Sequence, residues 1–221
     1  MFAPGVITED RPGPQTYGVE RVAALSDGVF AIVLTLLVLE LKVPVGHGVN
    51  DTLIDDLGDN YHVFIGWLIS FLVIARIWVI HHAVVAHLAR CHIGTIILNF
   101  ALLAAVSLMP FTAALIGDYR IDEPWSTAFF AMNIAVASVA LGLLARHAAS
   151  EPTLLKAQYD HRLLGWHKRH HLYVLPPVAI AGAGLAFVEP YGAILVLAGE
   201  FFLVIGIGLY RVTHHDARGY V

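Results

Sequence analysis

The sequence predicts an all-α integral membrane protein with six transmembrane helices per subunit. Three observations carry that expectation. Only 14% of the 221 residues are charged and 58% are hydrophobic, whereas a soluble domain carries about 25% charged residues. The mean hydropathy is +0.72, and the apolar residues fall in runs long enough for a bilayer core, which needs about 20 residues in helical form. Prolines and charges lie between those runs and so mark their ends.

Residues 1–18, MFAPGVITEDRPGPQTYG, contain acids and three prolines. A secretory signal would have a basic start and an apolar middle, so this stretch reads as a cytoplasmic N-terminal arm. The six spans run over 19–43, 61–84, 93–117, 125–147, 172–188 and 190–211, forming one transmembrane domain over 19–211, and 212–221 is a cytoplasmic tail. Pro44 and Asp51, Asp55, Asp56 and Asp59 follow the first span, the stretch from Asp118 to Pro124 follows the third, and Glu189-Pro190 separates the last two. That last connection is short enough for a single broken or re-entrant helix to be the alternative. The long connection over 148–171 reads as partly helical.

Loop charge sets the orientation. The loop after span one has four aspartates and no Lys or Arg; the loop after span four holds Lys156, Arg162, Lys168 and Arg169. Arg90 follows span two, and Arg211 and Arg218 follow span six. Cytoplasmic loops carry the excess of Lys and Arg, so both termini are expected in the cytoplasm of a multi-pass protein of the plasma membrane.

Several functions are disfavoured. A net charge of -4 offers no basic face to nucleic acid. The lone Cys91 cannot form an internal disulfide. No nucleophile elbow, Walker loop or HExxH motif points to an enzyme, and no cofactor is expected. Of the thirteen histidines, His82, His87 and His92 are spaced by five, which scatters them around a helix, so no metal site is expected. Histidine titrates near neutrality, which makes pH modulation the better reading of the histidine clusters. The small residues of AIAGAGLA, Ala179 to Ala186, fit close helix packing.

The first span, RVAALSDGVFAIVLTLLVLEL from Arg21 to Leu41, carries the chemistry. Ile32, Leu36 and Leu39 form one stripe at i, i+4 and i+7, with Thr35 on the same face. The stripe is either a helix–helix seam or the lining of a pore in an oligomer, closed by bulky apolar rings that gate by dewetting. The polar start needs partners, because a central Asp costs about 2.5–3.5 kcal/mol on insertion scales. Ser26 and Asp27 share a depth with Trp78 and His81 near the end of span two and with Asn99 in span three. A network of these groups, completed by Arg21, would satisfy them; the alternative is that Ser26-Asp27 simply packs helices. Glu40 at the far end, with the loop aspartates, makes either an acidic outer mouth that concentrates cations or a solvated face.

At these residues the sequence resembles the bacterial members of the transmembrane protein 175 family, relatives of the endosomal and lysosomal potassium channel. The carrying residues are Arg21, then Leu25-Ser26-Asp27, the apolar GVFAIVLTLLVLEL, the Trp78-x-x-His81 pair in SFLVIARIWVIHH, and the Asn99…Pro110-Phe111 pattern in NFALLAAVSLMPFTAAL. Leu25 stands where the family has Phe. The resemblance implies a homotetramer with a central pore lined by the first helix and potassium as the permeant ion. It implies a constriction at Ile32, a hydroxyl layer at Thr35, further pore-facing positions at Leu36 and Leu39, and a structural network of Arg21, Ser26 and Asp27 with spans two and three. A proton-coupled secondary transporter or proton-conducting channel using Asp27 and His81 is the alternative.

Overall fold

The computed structural model describes residues 17–41, 52–59, 61–119, 123–158, 160–193, 195–197 and 199. Helix α1 (Val19–Leu36) continues as a tighter 3-10 turn over Leu37–Glu40. Its buried residues, Ser26, Phe30, Val33 and Leu37, recur at steps of four, three and four, so one stripe of the helix enters the bundle. Short helix α2 (Leu53–Asp59) follows. Thr52 and Asp55 start it with a reciprocal cap: the Thr52 hydroxyl donates to Asp55 Oδ2 at 2.6 Å, and the Asp55 amide donates back to Thr52 Oγ1 at 3.4 Å. The Thr52 bonds hold the Asp55 carboxyl below its usual range, so this acid of the expected outer mouth has a local structural use. Asp51 lies outside the described residues.

Helix α3 (Tyr61–Ala86) returns across the bundle. The third span was expected as one helix over 93–117. It is two, α4 (Ile93–Ser107) and α5 (Met109–Tyr119), divided at Leu108. Pro110 explains the break: it has no amide proton for the carbonyl four residues back, and its ring crowds that carbonyl. The chain tightens there, with the Leu108 amide donating to Ala105 O at 3.3 Å.

Helix α6 (Pro124–Ser150) has Pro124 in its first turn, where a missing amide proton costs nothing. It runs further into the connection than expected. After a short turn, α7 (His161–Arg169) begins at Asp160, whose carboxylate accepts from the amides of Arg162 and Leu163 at 2.8 and 3.0 Å. A π turn over His170–Val174 then leads directly into α8 (Leu175–Leu185). The expected fifth span is therefore the end of a helical rod that starts outside it, at His161. The chain turns at 186–188 and is helical again at 190–193, where the sixth span was expected to start; most of that span lies outside the described residues. Among the described residues, four segments have the length and composition to cross a membrane: Val19–Glu40, Val63–Ala86, Ile93–Tyr119 and Pro124–Ser150.

Helix α6 is the hub, packed against α4, α5, α7 and α8. Its inward positions are small, including Ala131, Ala135, Ala137, Gly142 and Ala145, and small residues let helix backbones approach. Gly142 shows the limit. A Cβ there would lie 2.7 Å from Leu172 Cγ and 2.9 Å from the His171 carbonyl carbon. On the opposing side Ala179, Gly182 and Ala183 of α8 are buried, as the small-residue run predicted.

A second, smaller core closes the end of the bundle that carries the basic loops. Val84, Leu88, Cys91, Leu144, Leu154 and Leu164 form it, with Val19 and Val22 of α1 packed against it. Two isolated bridges tie it together. Tyr17 pairs with Cys91 by amide–carbonyl bonds of 2.8 and 3.1 Å. Leu88 pairs with Leu155, flanked by the Ala89 amide on Leu154 O at 2.7 Å and the Lys156 amide on His87 O at 3.0 Å. Cys91 is buried, and burial pushes its thiol up.

Candidate functional site

The polar layer expected from the sequence is assembled by three helices. Ser26 comes from α1, His81 from α3 and Asn99 from α4, and all three are buried. His81 Nε2 lies 2.8 Å from Asn99 Oδ1, and Asn99 Nδ2 donates to Ser26 Oγ at 3.0 Å. Ser26 Oγ is 2.8 Å from Val22 O and 3.2 Å from Asn99 Oδ1. A hydroxyl has one proton, and the shorter contact to Val22 O takes it. Asn99 Oδ1 then accepts from His81, which fixes His81 as the Nε2–H tautomer. His81 Nδ1 is buried with no hydrogen-bond partner among the described residues. The ring of Phe30 lies 5.6 Å from the His81 ring and gives it an apolar neighbour.

Asp27 and Trp78 form a separate pair, the indole Nε1–H donating to Asp27 Oδ1 at 2.8 Å. Trp78 also lies 5.7 Å from the His82 ring. Arg21 does not complete the network: it is exposed and makes no hydrogen bond or ion pair among the described residues. Five residues separate it from Ser26, which at 3.6 residues per turn turns the two side chains about 140° apart. Arg21 thus falls on the outward face of α1.

That outward face holds the stripe. Ile32 is 59% exposed, Leu36 41% and Leu39 69%, so the stripe is no seam within the subunit. Thr35 is exposed between them, its hydroxyl 2.8 Å from Ile32 O and 3.1 Å from Ala31 O. The proton is held by the helix's own backbone, and the oxygen lone pairs are left to face outward. Glu40 ends the 3-10 turn half-buried, lining a small cavity of about 10 Å³ with Trp67, Gly117 and Asp118. No group of three or more potential metal ligands occurs among the described residues.

Two polar contacts were not anticipated. Asn133 of α6 donates to Thr112 Oγ1 of α5 at 3.3 Å, and Ser138 of α6 lies 3.3 Å from Nδ1 of His171. Their signal in the sequence was present: polar side chains inside an apolar run need an interior partner.

Apolar helices packed around an interior polar layer, with one helix left largely uncovered, define an α-helical integral membrane protein. The family profile described as "Endosomal/lysosomal potassium channel TMEM175" matches residues 21–110. A potassium channel of Chamaesiphon minutus is 32% identical over 198 residues, covering 86% of this chain and 96% of that protein. A potassium channel of Streptomyces collinus is 36% identical over 126 residues, spanning 57% of this chain and 61% of that one. The crystal structure of a lysosomal potassium-selective channel TMEM175 homolog from Chamaesiphon minutus superposes with a TM-score of 0.73 at 28% identity, covering 87% of this chain and 97% of that one. The chain belongs to the TMEM175 family, a family of ion channels and not of enzymes.

Proposed function

We propose that this protein is a potassium-permeable cation channel of the plasma membrane, a homotetramer with both termini cytoplasmic, whose central pore is lined by α1. Ile32, Leu36 and Leu39 form the apolar constriction, Thr35 the hydroxyl layer, and Glu40 stands at the outer mouth. The network of Ser26, His81 and Asn99, flanked by the Asp27–Trp78 pair, holds α1 against its own subunit. Potassium is the permeant ion, and no cofactor is required.

The observation that carries this reading is the exposure of α1. Within the subunit only 22% of an apolar 18-residue stretch of Val19–Glu40 is buried, against 72% of the corresponding stretch of Pro124–Ser150. Its uncovered arc includes Thr35 and, at one edge, Asp27, and an ionised carboxylate facing hydrocarbon is costly. Water and neighbouring subunits suit that arc better than lipid does. Rings of Ile and Leu at the narrowest point would pass ions only when the pore widens or wets.

The proton-relay alternative fits the geometry less well. Asp27 bonds Trp78, and no hydrogen bond joins it to His81 among the described residues. A primary amide stands between Ser26 and His81, donating at nitrogen and accepting at oxygen, which makes it a poor link in a proton chain.

The test is potassium flux from liposomes holding the purified protein. Ile32→Asn hydrates the constriction and is expected to raise flux several-fold. An unchanged rate that saturates with potassium would defeat the channel reading.

A further inference from the structure

The rod from His161 to Leu185 carries a surface that conduction does not use. Arg162, Trp166, Arg169 and Tyr173 follow one another at steps of four, three and four and so share a helix face. Leu164, His167 and His171 face the bundle and are buried; Arg162, Arg169 and Tyr173 are exposed and Trp166 is half-buried. Trp166 is held in place by stacking on His170, with ring centroids 5.0 Å apart and planes 21° apart. Further along the same face lie Pro177 and Ile180, exposed and apolar. One outward stripe thus changes from cationic, through two aromatics, to purely apolar as the helix enters the membrane.

Other cations share this end of the molecule. The Lys156 amide bonds His87 O, and the Arg90 amide bonds Leu154 O, which fixes both residues at the connection that leads into α7. Lys168 is half-buried on α7 itself. Against these stand Glu151 and Asp160, and Asp160 is occupied as the cap of α7. Among the described residues Arg169 makes no ion pair, and Arg162 has none within 4.0 Å, although its charge is felt by Asp160. Amphipathic helices bearing Lys and Arg just cytoplasmic of a span attract anionic headgroups, and Trp and Tyr settle at headgroup depth.

We propose that the stripe Arg162–Trp166–Arg169–Tyr173 docks the phosphate headgroup of an anionic phospholipid of the cytoplasmic leaflet. The guanidinium groups meet the phosphate by charge-assisted bonds. Trp166 and Tyr173 sit at the glycerol level, and Pro177 and Ile180 lie along the acyl chain. The site rests on the orientation given above, which puts the basic loops in the cytoplasm, and needs no particular permeant ion.

The experiment uses native mass spectrometry of the purified full chain with equimolar phosphatidylglycerol and phosphatidylcholine. The wild type is expected to retain phosphatidylglycerol preferentially, and Arg162→Gln/Arg169→Gln to reduce that preference on the order of tenfold. Excess inorganic phosphate should not displace the lipid. Equal retention of both lipids, an unchanged preference in the variant, or displacement by phosphate would overturn the proposal. A second measurement leaves the arginines in place: lipids brominated on the chain near the headgroup should quench the wild type more as phosphatidylglycerol than as phosphatidylcholine. That difference should vanish in Trp166→Phe, and its persistence would overturn the assignment. Potassium flux of the double variant in phosphatidylcholine liposomes should match the wild type; absence of flux from both would defeat the channel reading and leave the lipid site standing.

Discussion

His81 Nε2 donates to Asn99 Oδ1 across 2.8 Å, and that single bond sets the direction of the other protons in the layer. With Oδ1 committed to His81, the amide Nδ2 must serve Ser26, and the Ser26 hydroxyl turns to Val22 O. Asn99→Leu leaves the Nε2–H of His81 and the oxygen of Ser26 buried and unpaired. A stranded buried group costs about 1–3 kcal/mol. The melting temperature in detergent should fall by several degrees, and Ser26→Ala, which removes only one partner of the amide, should cost less.

The Asp27–Trp78 bond needs an acceptor on α1 but no negative charge. Asp27→Asn keeps a carbonyl oxygen for the indole and should preserve assembly; Asp27→Ala and Trp78→Phe each remove the bond. Native mass spectrometry should show a smaller assembled fraction for both of the latter, by a similar amount. An assembled fraction equal to wild type in Asp27→Ala would show that the pair does not hold α1.

Gly142 and Gly165 should respond oppositely to alanine. At Gly142 the new methyl meets the backbone of His171, which cannot give way without moving the π turn, and overpacking of this kind costs about 1–3 kcal/mol. At Gly165, within α7, a Cβ meets nothing within 4 Å. Alanine there should stabilise by about 0.5–1 kcal/mol through helix propensity. Paired thermal melts read both signs.

Asp160 gives a pH dependence outside the membrane. The Leu163 amide, and then Arg162 and His87, hold its carboxyl below the usual value of 3.8. A carboxyl lowered on folding contributes stability above its unfolded pKa and loses it as pH falls through the folded value. The start of α7 should therefore be intact at neutral pH and fray only below about pH 4. Amide exchange at Arg162 and Leu163 should accelerate at low pH, and in Asp160→Ala it should be fast at every pH.

Much of the site could be read before any coordinates, and the limits are physical. Ser26, His81 and Asn99 meet because three helices of known direction bring their polar residues to one depth, which counting along the chain reveals. That Ile32, Leu36 and Leu39 share one face was legible from their spacing, but spacing left open whether that face was a seam or uncovered. Arg21 was misplaced because its place in the motif does not decide rotation or depth: it lies about 7.5 Å below Ser26 along the helix and points about 140° away from it. The division at Leu108 was signalled by Pro110, yet apolar composition hides a break when both halves stay in the bundle. The rod through 161–185 was hidden by charge, since Arg162, Lys168 and Arg169 look like loop residues until their outward face is known. The contact of Gly142 with the π turn had no sequence signal, because close approach depends on the partner backbone.

The two small bridges at the basic end have a mechanical consequence. Tyr17 is sewn to Cys91, that turn continues to the Leu88–Leu155 pair, and Val19 and Val22 are packed into the core between them. The opposite end of α1 finishes in a 3-10 turn with Leu39 largely bare. The two ends of the helix are thus held in different ways: backbone bonds stitch the end below Ser26, while side-chain packing of Leu37 and Glu40 against α3 and α5 seats the other. Phe30, Val33 and Leu37 keep the inner side of α1 seated along its length, so any rearrangement of Ile32, Leu36 and Leu39 must carry that buried stripe with it.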